Sequence, residues 1–351
     1  MKKSIHTASR RSFLAGAAGV VASAAFGPSR AGANSNTVKI ISYGGSYEDA
    51  QVKAVFAPFT GETGIKVETI PVPGLDKIKA MELTGNVEID IFVGPGPWAA
   101  SGSKQGFWDK LDLSMLDLAD LAIEPTSDYA TYEIVTMGIT WDPKRFGPGK
   151  HPSNFAEFFD LKTFPGRRSF RPFPDQTLEV ALLADGVSPQ DVYPLDLDRA
   201  FKSLDRIKSN IVWAKATPQS VFLVQRGEVD FSFTSANRVK ASNDAGGGVP
   251  LAFSFDQNVG LPDSLGILKG APNKENAMKL IAYTLRPEVQ ARLFDLLGCL
   301  PASKKAKTMM AEESRKWLPD LDNPKSIVIN NKYWADNFET VNPRFQEWIQ
   351  S

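Results

Sequence analysis

The chain has 351 residues, with 40 basic and 40 acidic side chains, so its formal net charge at pH 7 is zero. This balance excludes the basic surfaces that bind nucleic acid or anionic lipid. A single cysteine excludes an intrachain disulfide, and two histidines leave little material for a histidine-rich metal site or a Ser-His-Asp triad.

Residues 1–33 have the pattern of an export signal. A lysine pair and the twin arginine Arg10-Arg11 precede a weakly apolar stretch, and Ala31-Gly32-Ala33 provides a cleavage site. The twin arginine is typical of a Tat signal. The alternative, a membrane anchor, is disfavoured because the apolar stretch is shorter than the roughly 20 residues that a span needs. We therefore predict a periplasmic mature protein that begins near Asn34.

Removal of this segment changes the charge and the histidine count. Its five basic residues leave with it, so 35 basic and 40 acidic residues remain and the net charge becomes −5. His6 is removed, which leaves only His151, in a predicted surface turn. Cys299 lies in an apolar run and is expected to be a small buried residue rather than a nucleophile.

The first part of the mature chain alternates between strand and helix patterns. Ser46 is expected to cap the first helix, with Asp49 three residues later. Strand, helix, strand, helix and strand in this order predict a parallel, doubly wound sheet. The predicted elements are Val38–Tyr43, Ser46–Phe59, Gly64–Ile70, Leu75–Leu83 and Ile89–Val93.

A second set of elements begins near Trp141. The long β-like stretch Thr131–Pro143 connects the two sets and is a candidate hinge. Aromatic residues continue to the end of the chain, so we expect the tail to pack. Helices are predicted at Ser153–Asp160, Asp175–Ala184, Leu197–Lys208, Thr217–Arg226, Asn237–Asp244, Asn273–Leu285 and Pro287–Leu297, and strands at Ile211–Ala214, Val229–Ser235, Pro250–Phe255 and Asp263–Gly270.

Candidate site residues stand where the predicted strands end, because ligands of α/β sheets bind at the carboxyl ends of the strands. Glycines let backbone approach a ligand, hydroxyls and charges orient it, and rings cover it. The candidates are Tyr43, Gly44, Gly45, Ser46 and Tyr47 after the first strand, Gly96 and Trp98 after the third, and Asp175, Ser235, Arg238 and Asp263 in the second set.

Most of these residues also have a purely structural interpretation. Gly44-Gly45 is followed by no Gly-Lys-Ser/Thr and belongs to no Gly-x-Gly-x-x-Gly, so a phosphate loop is disfavoured. The two glycines could serve only a turn with positive φ. Trp98 could be a core residue, Asp263 a turn cap and Arg238 a solvated residue. Asp175 and Glu179, four residues apart, are interpreted first as a solvated helix face.

Several stretches together resemble the solute-binding proteins of ABC importers, most closely the spermidine/putrescine-binding type. These are the twin-arginine signal, "VKIISYGGSYEDAQ", "IDIFVGPGPW", "RGEVDFSFTSAN" and "DSLGILKGAPNKENAMKLIAYTLRPEVQ". The last stretch is the most specific, and the resemblance covers nearly all of the mature chain.

The resemblance implies an α/β, two-lobed periplasmic binding protein of type II, in which each lobe is a doubly wound mixed sheet flanked by helices. We expect residues 34–137 plus 264–306 in lobe 1 and residues 138–263 plus 307–351 in lobe 2. It also implies delivery of a small amine or amino acid to an inner-membrane permease, a monomer without cofactor or metal, and no enzymatic activity.

The resemblance further implies roles for individual residues. Tyr43, Ser46 and Tyr47 match the aromatic and hydroxyl groups of the first loop in polyamine binders, and Asp263 matches the aspartate that holds an ammonium group. The chain departs from this pattern because Ser235 and Leu261 stand where polyamine binders have rings. One carboxylate and fewer rings suit a ligand with one ammonium group and a carboxylate, which Arg238 or the glycine loop could bind. γ-Aminobutyrate is such a ligand, and putrescine or spermidine is the alternative.

Two other functions are considered. A secreted enzyme on the same fold would need a nucleophile with a base, or a metal cluster. A ferric- or anion-binding relative would need paired tyrosines or clustered arginines in the cleft.

Overall fold

The structure, a computed structural model, describes residues 36–320 and 322–351. The predicted export signal lies outside these residues. Within them, none of the helices is both long and apolar enough to cross a membrane.

The strands are short except for two that run through the middle of the molecule. Their bounds are β1 Thr37–Ser42, β2 Lys66–Pro71, β3 Ile91–Pro95, β4 Trp108–Asp109, β5 Tyr129–Trp141, β6 Arg168–Phe170, β7 Ile211–Trp213, β8 Phe231–Ser235, β9 Ala252–Phe253, β10 Val259–Leu268, β11 Leu300–Pro301 and β12 Ile327–Val328.

The helices cover the faces of this sheet. Their bounds are α1 Gly45–Gln51, α2 Ala57–Thr63, α3 Leu75–Thr84, α4 Gly96–Gln105, α5 Phe155–Phe159, α6 Pro174–Ala184, α7 Leu197–Asp205, α8 Gln219–Gln225, α9 Ala236–Asn243, α10 Lys274–Thr284, α11 Pro287–Leu297, α12 Lys304–Met309, α13 Glu312–Arg315 and α14 Asn331–Gln350. A π-helical stretch, Val52–Phe56, joins α1 to α2 without a break.

The sheet has two parallel ends joined by two crossing strands. Its order is β2-β1-β3-β10-β5-β8-β6-β7. Strands β2, β1 and β3 are parallel, as are β8, β6 and β7, whereas β10 and β5 pair antiparallel with their neighbours. The predicted α/β fold is therefore present, but the expected sheets of the two lobes are joined into one continuous mixed sheet, with β5 and β10 at its centre.

Strand β5 changes partners part-way along its length. Tyr129 to Met137 pair with β10, and Met137 to Trp141 pair with β8. Met137 therefore lies where β5 passes from the half of the sheet that contains β10 to the half that contains β8. Residues Tyr129–Trp141 form one unbroken strand, which is the element that the sequence predicted as the connection.

A β-bulge interrupts the pairing of the two crossing strands. Asp263 lies opposite Glu133, whereas Ser264 lies opposite Thr131, so Tyr132 is an extra residue on β5. Successive residues of a regular strand point to opposite faces. The bulge relaxes this alternation and re-aims side chains, and it lets the neighbouring Tyr132 and Glu133 reach one common partner, described below.

The first helix differs from its prediction. It begins at Gly45, with Gly44 as the capping position and no capping side chain, and continues helically to Thr63. Ser46 was expected to be the cap, which is wrong. Its hydroxyl lies inside the first turn and accepts a hydrogen bond from Arg238 at 3.4 Å instead.

Strand β10 begins four residues before its predicted start at Asp263. Pro262 obscured this in the sequence because proline cannot donate to a ladder. The pairing with β3 starts only at Asp263, so at Pro262 the strand has a partner on the β5 side alone. The strand predicted at Pro250–Phe255 shrinks to β9. Several elements had no prediction, namely the short strands β4, β6, β11 and β12 and the helices α4, α12, α13 and α14.

The C-terminal helix α14 contacts both lobes. Its first half is bonded to α4, through Lys104 and Asp336 at 2.6 Å. Its second half is bonded to α7, through Arg344 and Asp198 at 2.6 Å. Pro343 lies between the two halves, where it cannot donate the usual helical hydrogen bond.

Candidate functional site

A buried cavity of about 70 Å³ lies between the two lobes, beside the crossing strands. It is well above the roughly 10–15 Å³ that one water molecule needs. Both lobes and both crossing strands contribute to its wall. The lining residues are Tyr43, Tyr47, Val72, Pro95, Trp98, Val135, Met137, Arg171, Phe173, Gln176, Thr217, Thr234, Ser235, Asn237, Arg238, Leu261 and Asp263.

The cavity continues outward into a pocket of about 500 Å³. The two spaces share wall residues, among them Tyr43, Trp98 and Arg171. The outer pocket is also lined by the Pro71–Gly74 turn of the first lobe and by Lys215 and Ala216 of the second. The shared residues place the wider pocket next to the cavity.

Three rings form the first-lobe wall. Tyr43, from the loop after β1, and Tyr47, in the first turn of α1, meet edge to face with 6.1 Å between ring centroids. Trp98, on α4 after β3, packs edge to face against Phe173 of the second lobe with 5.2 Å between centroids. Aromatic walls of this kind cover the apolar part of a small ligand.

The glycine pair shapes the loop between β1 and α1. Gly44 has φ 64° and ψ 178°, and Gly45 has φ 59°. These values are readily adopted only by glycine. A Cβ atom on Gly45 would also lie 3.3 Å from a guanidinium nitrogen of Arg238. The glycines therefore serve the turn and admit this arginine to the backbone.

Arg238 reaches from the second lobe to this glycine loop. Its guanidinium donates to the carbonyls of Gly44 at 3.0 Å and Tyr43 at 3.3 Å, and it lies over the Tyr47 ring with 5.6 Å to the centroid. Burial lowers the pKa of Arg238 to about 10, so the side chain remains cationic at neutral pH. These bonds tie the two lobes together across the cavity.

Arg171 supplies a second guanidinium to the cavity wall. It follows β6, donates through Nη1 to the Thr217 hydroxyl at 2.7 Å and lies over the Phe173 ring. Its Nε is buried and has no hydrogen-bond partner within the described part of the chain. Burial lowers the pKa of this guanidinium, whereas Tyr43, Asp175 and Asp263 raise it. A buried N–H without a partner is costly and can bind a ligand acceptor.

Gln176 is held in a strained conformation at the start of α6. Its φ of 75° and ψ of −46° lie outside the regions that non-glycine residues usually adopt. It is the one non-glycine residue with positive φ among residues 36–320 and 322–351. Such strain costs on the order of 1–3 kcal/mol and concentrates at ligand sites. Here the strain places Gln176 in the cavity wall while its amide donates to Asp175 at 3.2 Å.

Asp263 lies on β10 with its carboxylate in the cavity wall. It is 6% exposed, and its Oδ1 has no partner in the described residues. Burial raises the pKa of this carboxyl well above its ordinary range, and Glu133 and Asp175 raise it further, while Arg171 lowers it. A cationic ligand group at Oδ1 would stabilise the ionised form.

Glu133 stands behind Asp263 on the neighbouring strand. It is fully buried and accepts a hydrogen bond from the Tyr47 hydroxyl, which is itself bonded to the Tyr132 hydroxyl. Burial raises the pKa of Glu133, whereas the hydroxyls of Tyr47 and Tyr132, the Cys299 thiol and Arg238 lower it. Cys299 is buried, as predicted from its apolar run.

The prediction that Asp175 and Glu179 form a solvated helix face is wrong. Both side chains are at most 1% exposed, because α6 is enclosed on all sides, including by α14. Burial raises the pKa of Asp175 to about 6 and that of Glu179 to about 7. The Tyr193 hydroxyl and the Trp334 indole N–H each donate to Glu179 at 2.7 Å.

The structure brings six of the eleven sequence candidates together in the cavity wall: Tyr43, Tyr47, Trp98, Ser235, Arg238 and Asp263. The other five are not lining residues. Gly44 lines the outer pocket, Gly45 and Ser46 line a separate surface pocket, and Gly96 packs against Asn331 of α14. Asp175 is buried beside the cavity under Gln176.

Sequence reasoning missed Arg171 and Glu133. Arg171 follows β6, a three-residue strand that the pattern "RSFRPFPD" did not reveal. A strand-end search that had included β6 would have found it. Glu133 lies within a long apolar strand, where the one acidic residue between Tyr132 and Ile134 was the available signal.

Residues 54–318 match the family of bacterial extracellular solute-binding proteins. The chain belongs to this family. The match confirms the resemblance to solute-binding proteins of ABC importers, which are extracytoplasmic and deliver small molecules to a permease.

Three relatives illustrate the range of the family. A γ-aminobutyric acid-binding protein of Pseudomonas aeruginosa is 30% identical, over 90% of this chain and 92% of its own. A spermidine/putrescine-binding periplasmic protein of Escherichia coli is 22% identical, over 83% of this chain and 85% of its own. The solved binding protein AgtB of A. tumefaciens R10, in complex with agropinic acid, is 31% identical with a TM-score of 0.83, and the likeness covers 90% of this chain and 99% of AgtB.

Among the described residues, the side chains at this site do not form a set of metal ligands. Within residues 36–320 and 322–351, no group of three or more histidine, cysteine, aspartate or glutamate side chains is placed to hold a metal ion. The cavity wall instead combines two guanidinium groups, one carboxylate, hydroxyls and rings. Such a wall can hold a small molecule that carries both charges.

Proposed function

We propose that this solute-binding protein captures a small amino acid with a terminal ammonium group, of the γ-aminobutyrate kind, and delivers it to an inner-membrane permease. The observation that carries the proposal is the presence, in one cavity wall, of a carboxylate oxygen on Asp263 and a guanidinium N–H on Arg171, both without partners in the described chain. The ammonium group binds Asp263, and the ligand carboxylate binds Arg171.

The charges of the wall favour an amino acid over a diamine. Two guanidinium groups and one carboxylate line the cavity. A second ammonium group, as in putrescine, would face Arg171 or Arg238 without a carboxylate of its own. Arg238 is bonded to backbone carbonyls of the glycine loop, which leaves Arg171 as the anion partner. The relative that binds γ-aminobutyric acid has higher identity to this chain than the spermidine/putrescine-binding one.

The apolar middle of the ligand contacts the rings and the aliphatic wall. Tyr43, Tyr47 and Trp98 lie on one side, and Met137 and Leu261 lie on the crossing strands. At the two positions where polyamine binders are expected to have rings, Ser235 and Leu261 line the cavity. This wall covers a short chain of methylene groups.

The substitution Arg171→Gln tests the proposal. We expect it to weaken γ-aminobutyrate binding at least tenfold, because a charged hydrogen bond in a buried site is lost. It should leave 4-amino-1-butanol, which lacks the carboxylate, unchanged. Calorimetry measures both ligands, and Arg145→Gln, at a half-exposed arginine paired with Asp230, is the matched control. If the wild-type protein prefers putrescine to γ-aminobutyrate, the amino-acid assignment is wrong.

We propose that capture involves rotation of the two lobes, residues 34–137 plus 264–306 and residues 138–263 plus 307–351. The rotation takes place about Thr136–Thr140, the segment near Asp263 and a third crossing near Ser303–Lys307. The change of partner of β5 at Met137 supports the hinge at Thr136–Thr140. Closure requires that ligand contacts favour the closed form by roughly 5 kcal/mol over the open form. An open crystal form in which these segments do not move as two bodies would refute the boundaries.

We also infer that the protein releases its ligand chemically unchanged. His151 stacks on Trp141 with 3.7 Å between ring centroids, and Cys299 is buried with a pKa raised by burial. Neither residue lines the cavity. Mass spectrometry of γ-aminobutyrate after incubation with the protein would detect turnover, which would favour the alternative of a secreted enzyme.

We further propose that the protein acts as a monomer, without nucleic acid, after export by the Tat route. The predicted negative charge of the mature protein supports the absence of nucleic-acid binding. The export route depends on Arg10-Arg11, so lysine substitutions of both should retain the precursor in the cytoplasm. Light scattering of the purified protein measures the oligomeric state.

A further inference from the structure

We propose that Glu133 is the residue that makes the ammonium end of the cavity selective for a cation, by fixing the Tyr47 hydroxyl as a hydrogen-bond acceptor. The inference rests on the proposed function, because it concerns the end of the same cavity that holds the ammonium group. Glu133 does not line the cavity and acts through Tyr47, so it is a positioning residue.

Each tyrosine hydroxyl has a single proton to donate. Tyr47 donates its hydroxyl proton to Glu133, so in its bond with Tyr132 it must be the acceptor and Tyr132 the donor. The Tyr47 oxygen then has no proton left for a ligand. Tyr47 lines the cavity. A remaining lone pair of its oxygen can accept a hydrogen bond from a ligand ammonium group, whereas a ligand carboxylate or carbonyl has no proton to donate to it.

The backbone of β5 brings Tyr132 and Glu133 together at the Tyr47 hydroxyl. The bulge on β5 opposite Asp263 and Ser264 brings the consecutive residues Tyr132 and Glu133 to one hydroxyl. In an unbulged strand only one of them would face Tyr47. The arrangement is thus specified by strand register, and its members are at most 3% exposed.

The end of the cavity that binds the ammonium group has two neighbouring acidic side chains. Glu133 lies directly opposite Asp263 in the β5–β10 register. A second acidic group therefore lies next to Asp263, the carboxylate that binds the ammonium group of the ligand. The groups that face this pair are Tyr47 from α1, Tyr43 from the preceding loop, Asp175 from α6, Arg171 after β6, Arg238 from α9 and Cys299 before β11. Both guanidinium groups come from the second lobe. At the end of the cavity that binds the ammonium group, the crossing strands contribute acidic side chains and the first lobe contributes tyrosine hydroxyls.

The test measures a ratio of affinities in the mature protein. For the wild type and Glu133→Gln, calorimetry gives the affinities of γ-aminobutyrate and of 4-hydroxybutyrate, in which a hydroxyl replaces the ammonium group. A glutamine can donate to the Tyr47 oxygen and turn the Tyr47 proton towards the cavity. We expect the preference for γ-aminobutyrate to fall about tenfold or more. Glu133→Asp, which keeps a carboxylate, should restore part of it.

The matched control is Glu179→Gln. Glu179 is equally buried and also accepts a tyrosine hydroxyl, but it and Tyr193 do not line the cavity. We expect its affinity ratio to equal that of the wild type. A second variant, Tyr47→Phe, removes the hydroxyl and leaves Glu133 in place, and it should lower the ratio as Glu133→Gln does. This variant keeps the inference testable if Glu133→Gln does not fold.

The outcomes separate this inference from the proposed function. An unchanged ratio in both Glu133→Gln and Tyr47→Phe overturns the inference and leaves the proposed ligand class intact. If the wild type prefers putrescine, the proposed ligand is wrong, and the ratio of putrescine to 1,4-butanediol then decides the inference in the same variants. A wild type that does not distinguish ammonium from hydroxyl ligands overturns both. A loss of both affinities by the same factor shows a structural role only and also overturns the inference.

Discussion

Two pairs of buried carboxylates lie close to the cavity and make similar bonds. On the crossing strands, Asp263 faces the cavity and Glu133 accepts the hydroxyl of Tyr47. On α6, Asp175 lies beside the cavity and Glu179 accepts the hydroxyl of Tyr193.

The two pairs differ in the surroundings of the side chains that donate hydrogen bonds to them. Tyr47 lines the cavity, so the strand pair is connected to a ligand. Glu179 also accepts the indole N–H of Trp334 on α14, so the helix pair is connected to the packing of the C-terminal helix. Similar chemistry thus serves binding in one place and stability in the other, and substitutions should separate the two.

The largest expected effect is on stability at the helix pair. Burial raises the pKa of Glu179 from its ordinary 4.5 to about 7, so between these pH values the native protein keeps a proton that the unfolded chain releases. The free energy of unfolding therefore falls as pH rises through this window, by about 3 kcal/mol in all. Glu179→Gln should remove this part of the pH dependence.

Urea denaturation at pH 5 and pH 7.5 measures this difference. The other buried acids titrate in both proteins and cancel in the comparison. Glu312→Gln, at an exposed position of α13, is the control and should follow the wild type. Equal pH slopes in the wild type and Glu179→Gln would show that Glu179 does not hold a proton in the native state.

The next effect is on affinity at the strand pair. Asp263→Asn should weaken γ-aminobutyrate binding about 10- to 150-fold, because a hydrogen bond to a charged group contributes about 1.5–3 kcal/mol. The variant should be at least as stable as the wild type, because a buried carboxylate without a partner is removed. Calorimetry and thermal unfolding measure the two effects, with the exposed Asp76→Asn as control. Unchanged affinity would remove Asp263 from the site.

The sequence predicted the strand pair in part. The order of strands and helices and the crossing strand over Thr131–Pro143 could be obtained from periodicity, and Asp263 was singled out as a candidate by the family resemblance. Asp263 was predicted to begin its strand, whereas β10 begins at Val259, so this carboxylate lines the cavity from within a crossing strand.

The helix pair and the bulge could not be predicted in this way. Asp175 and Glu179 have the four-residue spacing of an exposed helix face, and their burial depends on α14, which lies more than 150 residues later and had no helix prediction. The bulge that joins Tyr132 and Glu133 depends on register against β10. Arg171 depends on β6, whose three residues are too few for a periodic signal. Long-range packing, rather than local pattern, decides all three.

The smallest expected effect concerns Arg238, which contacts the first lobe from the second. Its bonds to the carbonyls of Gly44 and Tyr43 link the lobes directly, and each neutral-acceptor bond contributes about 1 kcal/mol. Arg238→Met should therefore weaken binding by up to about 30-fold, mainly through faster dissociation, because the closed form loses contacts that hold it together. Stopped-flow fluorescence of Trp98 would measure the dissociation rate.

The ligand dependence of that loss decides what Arg238 does. If the side chain only holds the lobes closed, Arg238→Met weakens γ-aminobutyrate and 4-amino-1-butanol by the same factor, whereas Arg171→Gln weakens only the ligand with a carboxylate. If Arg238 binds the ligand carboxylate, as the sequence first suggested, its loss is confined to γ-aminobutyrate. The existing bonds to two backbone carbonyls favour the equal loss, since a guanidinium that binds the opposite lobe stabilises closure on any solute.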